Sequence, residues 1–295
     1  MSDAQSRAKT IGKAILPPKI VDFIKGCRYR GTLAHVDYSL KLNKYRAQYE
    51  KDNAAAPDST IVLPMGCRIR IPHDEVIRDA MEHFAWRDPE MVDEFIAFMS
   101  LASNGTVLWD VGALFGVFSL AFTLTGTGHR ALAFEPNPSS AAKLRECISL
   151  NPTAKVEVFE SAVGLPGEVI EFERGFHYTA VAGLSVRPDE KNLTQTETAS
   201  IDDLIEEGLA APDIIKIDVE GHEFDVLQGA RKLLFAKKPL LSLELHPGLL
   251  EHRGTSAVAI AEYLEEAGYI FQNTQLKRVK KDFFGRQNNF RVFAN

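Results

Sequence analysis

The chain has 295 residues, 45% of them hydrophobic and 25% charged, enough apolar material for a full core, which excludes disorder throughout. Its formal charge is −6 but uneven: residues 1–60 carry eleven Lys and Arg against six Asp and Glu, so the remainder is acidic and has no nucleic-acid footprint. Cys27, Cys67 and Cys147 are scattered, without Cys-x-x-Cys spacing, which argues against a disulfide framework or zinc site; no apolar run is long enough to span a bilayer, and a soluble, cytoplasmic protein is expected.

Residues 1 to about 60 hold the helix-compatible stretch Ile20 to Ile24, then a polar, lysine-bearing segment ending in the loop Asn53 to Asp58. The basic segment can meet an anionic partner or membrane headgroups at the periphery, or simply carry solvated lysines. Ile61 to Ile71 has strand character around a Gly66 turn, and Val76 to Phe98 reads as two helices broken near Pro89. Residues 1–100 are therefore expected to form a mostly helical extension that caps the substrate side of a domain at 101–295. Phe84 and Trp86 can line a pocket there, although an aromatic pair at such spacing is more often core.

From Thr106 strand and helix alternate: strand 107 to 111, helix 117 to 125, strand 130 to 135, helix 138 to 150, strand 156 to 159. This pattern predicts a parallel, doubly wound α/β sheet with helices on both faces. Residues 168–172 and 180–186 are expected to form a hairpin whose tip carries Phe176, His177 and Tyr178. A helix opens at Ser200, its N-cap. Strand 213 to 218, helix 222 to 235, strand 239 to 245, helix 256 to 267 and strands near 269 to 273 and 289 to 293 complete the series. Lys277 to Lys281, with four basic residues of five, reads as a solvated loop.

The first strand of this series ends in VLWDVGALFG, a βα turn with glycines at 112 and 116. A dinucleotide fingerprint would read G-x-G-x-x-G; here Leu114 stands at the middle glycine, and the pyrophosphate cradle is lost. Asp110 repels a diphosphate but attracts a ligand that carries an ammonium and a sulfonium, such as S-adenosylmethionine. The next strand, in ALAFEPNP, ends in Glu135, placed to accept hydrogen bonds from ribose hydroxyls. The bland alternatives are a helix cap for Asp110 and a solvated strand end for Glu135. In PDIIKIDVEGHEFDVLQGA a third buried strand, interrupted by Lys216, ends in Asp218, Glu220 and Gly221, so Asp110, Glu135 and Asp218 should converge on one rim.

Taken in order, WDVGALFGVFSL, AFEPNP, TETASIDDLI, IKIDVEGHEFDVLQGA and LELHP make residues 101–295 resemble the FkbM family of S-adenosylmethionine-dependent methyltransferases. The resemblance implies a Rossmann-like class I methyltransferase sheet of seven strands, the last antiparallel and inserted beside the strand ending at Leu245. It implies a cofactor set of Asp110, Gly112, Ala113, Gly116, Glu135, Pro136, Ser161, Ala162 and Asp218, with Asp218 and Glu220 facing the reacting methyl. The family's turn usually reads D-V-G-A-N-x-G; Leu114 replaces the asparagine and removes a polar contact.

Candidate proton acceptors at the rim are Asp218, Glu220, His222 and His246, the last expected to titrate near neutral pH. Glu244 points either at the rim or into a buried pair. Asp218, Glu220, Glu244 and His246 offer oxygen and nitrogen ligands, but no spacing identifies an ion, and no metal is expected. The leading expectation is methyl transfer to a hydroxyl of a small molecule, sugar or lipid-linked glycan. The alternatives are a nicotinamide-dependent oxidoreductase and a non-catalytic protein that binds S-adenosylmethionine as a scaffold.

Overall fold

The computed structural model describes residues 32–102, 105–173 and 193–295. The chain divides into two compact units, 1–43 and 44–295. Of the first unit the described residues are helical, the opening part of the helix Thr32–Asn53; Ile20 to Ile24 lie outside the described residues.

The second unit is built on a mixed sheet. A short hairpin, β1 (Thr60–Val62) and β2 (Arg68–Arg70), precedes it, turning through residues 64–66 near the expected Gly66. Helices Glu75–Glu82 and Pro89–Leu101 follow, separated by a π-helical turn at His83–Arg87. Asp88 caps the second by accepting from the Glu90 amide (2.8 Å), and Pro89 costs nothing at the first helical position, where its missing N–H has no partner anyway.

The large sheet then assembles from β3 (Val107–Val111), β4 (Arg130–Phe134), β5 (Val156–Phe159), β9 (Ile214–Ile217), β10 (Leu240–Leu245), β11 (Phe271–Gln272), β12 (Arg278–Val279) and β13 (Phe290–Ala294). Its order is β12-β11-β13-β10-β9-β3-β4-β5. From β5 to β10 neighbours are parallel, and β13 enters antiparallel between β10 and β11. This is the expected class I architecture with an eighth short strand at one edge. That strand, Arg278–Val279, lies in the basic segment expected to be a loop; it pairs antiparallel with β11.

A smaller sheet, β6 (Ala162–Val163), β7 (Val169–Glu173) and β8 (Leu193–Ala199), stands beside it. β7 bonds antiparallel to β8, a strand the sequence did not announce; residues 180–186, expected to pair with 168–172, and the aromatic tip at 176–178 lie outside the described residues. The expected helix 222 to 235 is two pieces, Glu223–Gln228 and Arg231–Ala236, because Gly229 lies against Gly164 and Ser200 where a side chain would collide. A short helix, Pro247–His252, was not anticipated.

The two faces of the sheet differ. One packs Trp109, Val111, Phe134, Ile215, Ile217, Leu241, Leu243 and Leu245 against helices from the second half of the chain. The other packs Leu108, Ala131, Ile214 and Phe293 beneath helices Pro89–Leu101 and Val117–Thr125. Side chains alternate in a strand. Thus Asp110, Lys216 and Ser242, paired in register across three parallel strands, share the second face, as do Glu244 and Arg291, paired across β10 and β13.

Candidate active site

The turn after β3 is fixed by the backbone. The amides of Gly112 and Ala113 both donate to the Phe134 carbonyl (3.0 and 3.1 Å), and the Asp218 amide donates to the Val111 carbonyl (3.0 Å). Gly112 adopts φ +82°, and a Cβ there would lie 1.9 Å from the Asp218 carbonyl oxygen, so only glycine fits. Leu114 occupies the left-handed region at φ 49° without glycine's freedom. Its amide donates to Glu135 Oε2 at 2.9 Å, while the Asn137 amide donates to Oε1 at 2.9 Å. Each Glu135 oxygen keeps a second lone-pair site, so the carboxylate can still accept two hydroxyls. Burial holds Glu135 up at about 7, against the two amide hydrogen bonds, with Asp110 and Asp218 adding to the rise.

Two clefts meet at this turn. The first, about 770 Å³ and partly open to solvent, is walled by Gly112–Phe115, Asp110, Phe84, Met91, Lys216, Asp218 and Glu220. The second is walled by Glu135, Pro136, Ser161, Ala162, Thr198 and His222. Gly112, Glu135, Asp218 and Glu220 belong to both. Of the expected cofactor set, Asp110, Gly112, Ala113, Glu135, Pro136, Ser161, Ala162 and Asp218 line one cleft or the other. Gly116 instead caps helix Val117–Thr125 from a left-handed conformation. Asp110 is buried, and one oxygen accepts from the Ser119 amide (3.1 Å) and hydroxyl (2.7 Å), so it serves that helix while its side chain also borders the first cleft. Phe84 lines that cleft, whereas Trp86 stacks against Arg46 and Arg87, each 5.3 Å from its ring.

Below the shared wall lies a buried charge network. Lys216 is 2% exposed, its Nζ 3.2 Å from Asp218 Oδ2, 3.8 Å from Glu94 Oε1 and 4.7 Å from the centre of the Phe118 ring. Burial alone would strip its proton, but Asp218, Glu94, Glu244 and Asp110 outweigh burial and raise it, so Lys216 is a fixed cation. Burial would likewise raise Asp218, yet Lys216, His246 and Arg291 hold its carboxyl below the usual range. Its side chain is 24% exposed, the opening through which it meets the clefts. Glu94 approaches Arg291 Nε at 2.7 Å, and Glu244 accepts from Arg291 Nη2 at 2.6 Å, so Glu244 belongs to a buried pair. Desolvation raises Glu94, and raises Glu244 to about 8, despite Arg291.

His246 does not titrate where the sequence suggested. It is 2% exposed; burial would favour the neutral ring, but the Nδ1 bond to Glu223 Oε1 (2.7 Å) and the charges of Glu220, Glu223 and Asp218 push it up to about 10. A ring so charged keeps its proton at neutral pH and cannot serve as a base there. Glu220 sits at φ 51° and is raised to about 7, by burial against the pull of His246. His222 spends Nδ1 on Asp225 (3.2 Å) and Nε2 on Arg253 (3.3 Å), at the edge of the second cleft.

Lys216, Glu94 and Arg291 were missed as site residues. One of them, Lys216, carried a signal: along β9 and beyond, Lys216, Asp218 and Glu220 alternate with apolar residues, as do Ser242, Glu244 and His246 along and beyond β10. A buried parallel strand reads as a continuous apolar run, so a polar residue at every second position marks one face as functional. Glu94 gave no comparable sign.

Residues 110–271 match the methyltransferase FkbM domain. The chain belongs to the FkbM methyltransferase family. A curated relative, the hexuronic acid methyltransferase AglP of Haloferax volcanii, is 30% identical over 189 residues, 64% of this chain and 73% of that protein. Among solved structures, the FkbM methyltransferase of Methylobacillus flagellatus is similar at 19% identity and TM-score 0.45; the match covers 76% of this chain but only 56% of that one. The precorrin-6y C5,15-methyltransferase of Geobacter metallireducens is similar at 15% identity and TM-score 0.41, covering 71% of this chain and 89% of that one. Among the described residues no helix is long and apolar enough to cross a membrane.

Proposed function

We propose that this methyltransferase uses S-adenosylmethionine to methylate a hydroxyl of a sugar or similar polyhydroxylated acceptor, free or on a lipid-linked glycan. The observation that carries the reading is the wall common to both clefts, where a ribose-competent Glu135 and the ionised Asp218 stand on either side of Gly112. Glu135 retains acceptor sites for both ribose hydroxyls, Pro136, Ser161 and Ala162 bound the cleft for the base, and Gly112 to Phe115 present backbone to the amino-acid end. Among the described residues the acidic groups Glu94, Asp110, Asp218, Glu220, Glu223 and Glu244 outnumber Lys216, Arg291 and protonated His246, and a cationic ligand would favour the ionised forms of the raised Glu220 and Glu244. A sugar acceptor is supported by the name of the Haloferax relative and by the carboxyl groups of Asp218 and Glu220, which could bond its hydroxyls from the cleft wall.

When bound, the cofactor supplies a methyl on a sulfonium; the acceptor oxygen bonds to it as the carbon–sulfur bond breaks, and sulfur leaves as a neutral thioether. The protein's residues hold the partners in line, an alignment worth about 7 to 11 kcal/mol in well-oriented systems. Asp218, kept ionised by Lys216, or its neighbour Glu220 takes the acceptor's proton. A nicotinamide-dependent reaction is disfavoured because Leu114 fills the place of the cradle glycine and Asp110 opposes a diphosphate.

Calorimetry with S-adenosylmethionine, S-adenosylhomocysteine and NAD, followed by mass spectrometry of hexuronic acids, hexoses and their glycosides, tests this. Binding of the first two ligands only, with a gain of one methyl on a sugar oxygen, is expected. Uptake of NAD alone would overturn the reading, and binding without turnover on any acceptor would favour the scaffold role.

A further inference from the structure

We infer that Asp218, Glu244 and His246 form a divalent-cation site buried behind the cleft wall at Asp218, suited to an ion of the hardness of Mn²⁺. The starting point is the histidine. Its Nδ1 is committed to Glu223 Oε1 at 2.7 Å, and both residues are almost wholly buried, so the ring is locked in one orientation. The other nitrogen, Nε2, makes no hydrogen bond among the described residues; without an ion it bears the ring's second proton, which a bound divalent ion would displace. Instead it faces Glu220 Oε2 at 3.5 Å and Asp218 Oδ1 and Glu244 Oε1 at 3.9 Å each.

Those distances are too long for hydrogen bonds, which run from about 2.7 to 3.2 Å. They fit ligands sharing an ion: donors about 2.1 Å from a small divalent cation stand about 3 to 4.2 Å from one another. One donor atom each from Asp218, Glu244 and His246 lie within 4.8 Å of one another. Glu223 completes the pattern, since a metal-ligating histidine commonly gives its far N–H to a carboxylate, which fixes the tautomer and aims the free nitrogen.

The bases nearby leave the site open. Lys216 engages Asp218 through Oδ2, while Oδ1 faces the histidine. Arg291 bonds Glu244 Oε1, whose second lone pair remains. One imidazole with two carboxylates is a mixed set that suits Mn²⁺ better than the all-oxygen shell preferred by Ca²⁺ or the thiolates chosen by structural Zn²⁺. Entry runs past Asp218, which both clefts share. The ion's open positions would face the acceptor, so the acceptor class is one offering two neighbouring oxygens, as vicinal hydroxyls or a hydroxyl beside a carboxylate do. The site itself is independent of the methyl-donor reading; only the acceptor's attachment rests on it.

The full chain, stripped with chelator and dialysed, is titrated with Mn²⁺ and followed by electron paramagnetic resonance and calorimetry without donor. One ion per chain, with spin-echo modulation from a directly bound imidazole nitrogen, is expected. Asp218→Asn and His246→Gln should each weaken binding more than tenfold, and Glu223→Gln, which meets the ring at Nδ1 and the Gly221 amide but none of the proposed ligand atoms, by about tenfold; circular dichroism shows whether each variant is folded. Absence of saturable binding at millimolar Mn²⁺, or binding indifferent to His246→Gln in a folded variant, overturns the site. A parallel titration with S-adenosylhomocysteine separates the two ideas: its failure beside intact Mn²⁺ binding sinks the donor assignment alone.

Discussion

At the scale of single residues, Glu135 and Gly112 carry the most. The Glu135 carboxyl ionises at about 7, and only its ionised form offers acceptors to both ribose hydroxyls while keeping its two backbone partners. Protonation therefore opposes binding, and S-adenosylhomocysteine affinity should fall as pH drops below 7, approaching tenfold per unit. Isothermal titration between pH 6 and 8 measures it, with Glu135→Gln expected to flatten the profile and to lose roughly 1.5 to 3 kcal/mol at pH 8. Equal slopes for parent and variant would remove Glu135 from the site. Gly112→Ala should lose cofactor binding and destabilise the fold by more than about 3 kcal/mol, because strain at positive φ adds to a collision with the Asp218 backbone. Urea unfolding of the variant checks this, and a near-parental midpoint counts against it.

At the scale of elements, the helix Pro89–Leu101 is pinned to the sheet by charge as well as by Phe95 and Phe98. Glu94 is 1% exposed and stands between Lys216 and Arg291, so Glu94→Ala leaves two buried cations short of a partner and should cost about 3 to 5 kcal/mol by denaturant titration. Pairing it with Arg291→Met should return part of that loss, and strict additivity would mean the two do not interact. The helix itself was legible in the sequence, because Pro89 and the apolar spacing announce it; its charged tether was not. Glu94 lies over a hundred residues from either cation, and local patterning cannot report a contact made only when distant segments meet. The central strands were readable within a residue or two, since Val107–Val111 and Ile214–Ile217 are short apolar runs at glycine or acidic turns. Leu193–Ala199 is not legible as a strand because it is polar and threonine-rich, a pattern that a strand can share with a loop. For the rim, Asp218 and Glu135 followed from their strand-end positions, but the charge of His246 depended on neighbours that only the assembled sheet supplies.

At the scale of the molecule, the two faces of the sheet perform different tasks. The face carrying Leu241, Leu243 and Leu245 is apolar, and none of these three leucines lines either cleft, so Leu243→Ala should cost about 2 to 5 kcal/mol in stability while leaving ligand affinity unchanged below the unfolding transition. Chemical denaturation and calorimetry on one preparation compare the two, and a large shift in affinity would show that the faces are coupled. The opposite face bears Asp110, Lys216, Ser242, Glu244 and Arg291 in adjoining strands. Were β9 or β10 to slide by a single residue during assembly, every one of its ionic groups would be driven into hydrocarbon and its aliphatic groups into the charged layer. The charged layer beneath the clefts thus acts as an alignment key, penalising near-miss sheets that a uniformly oily strand would tolerate.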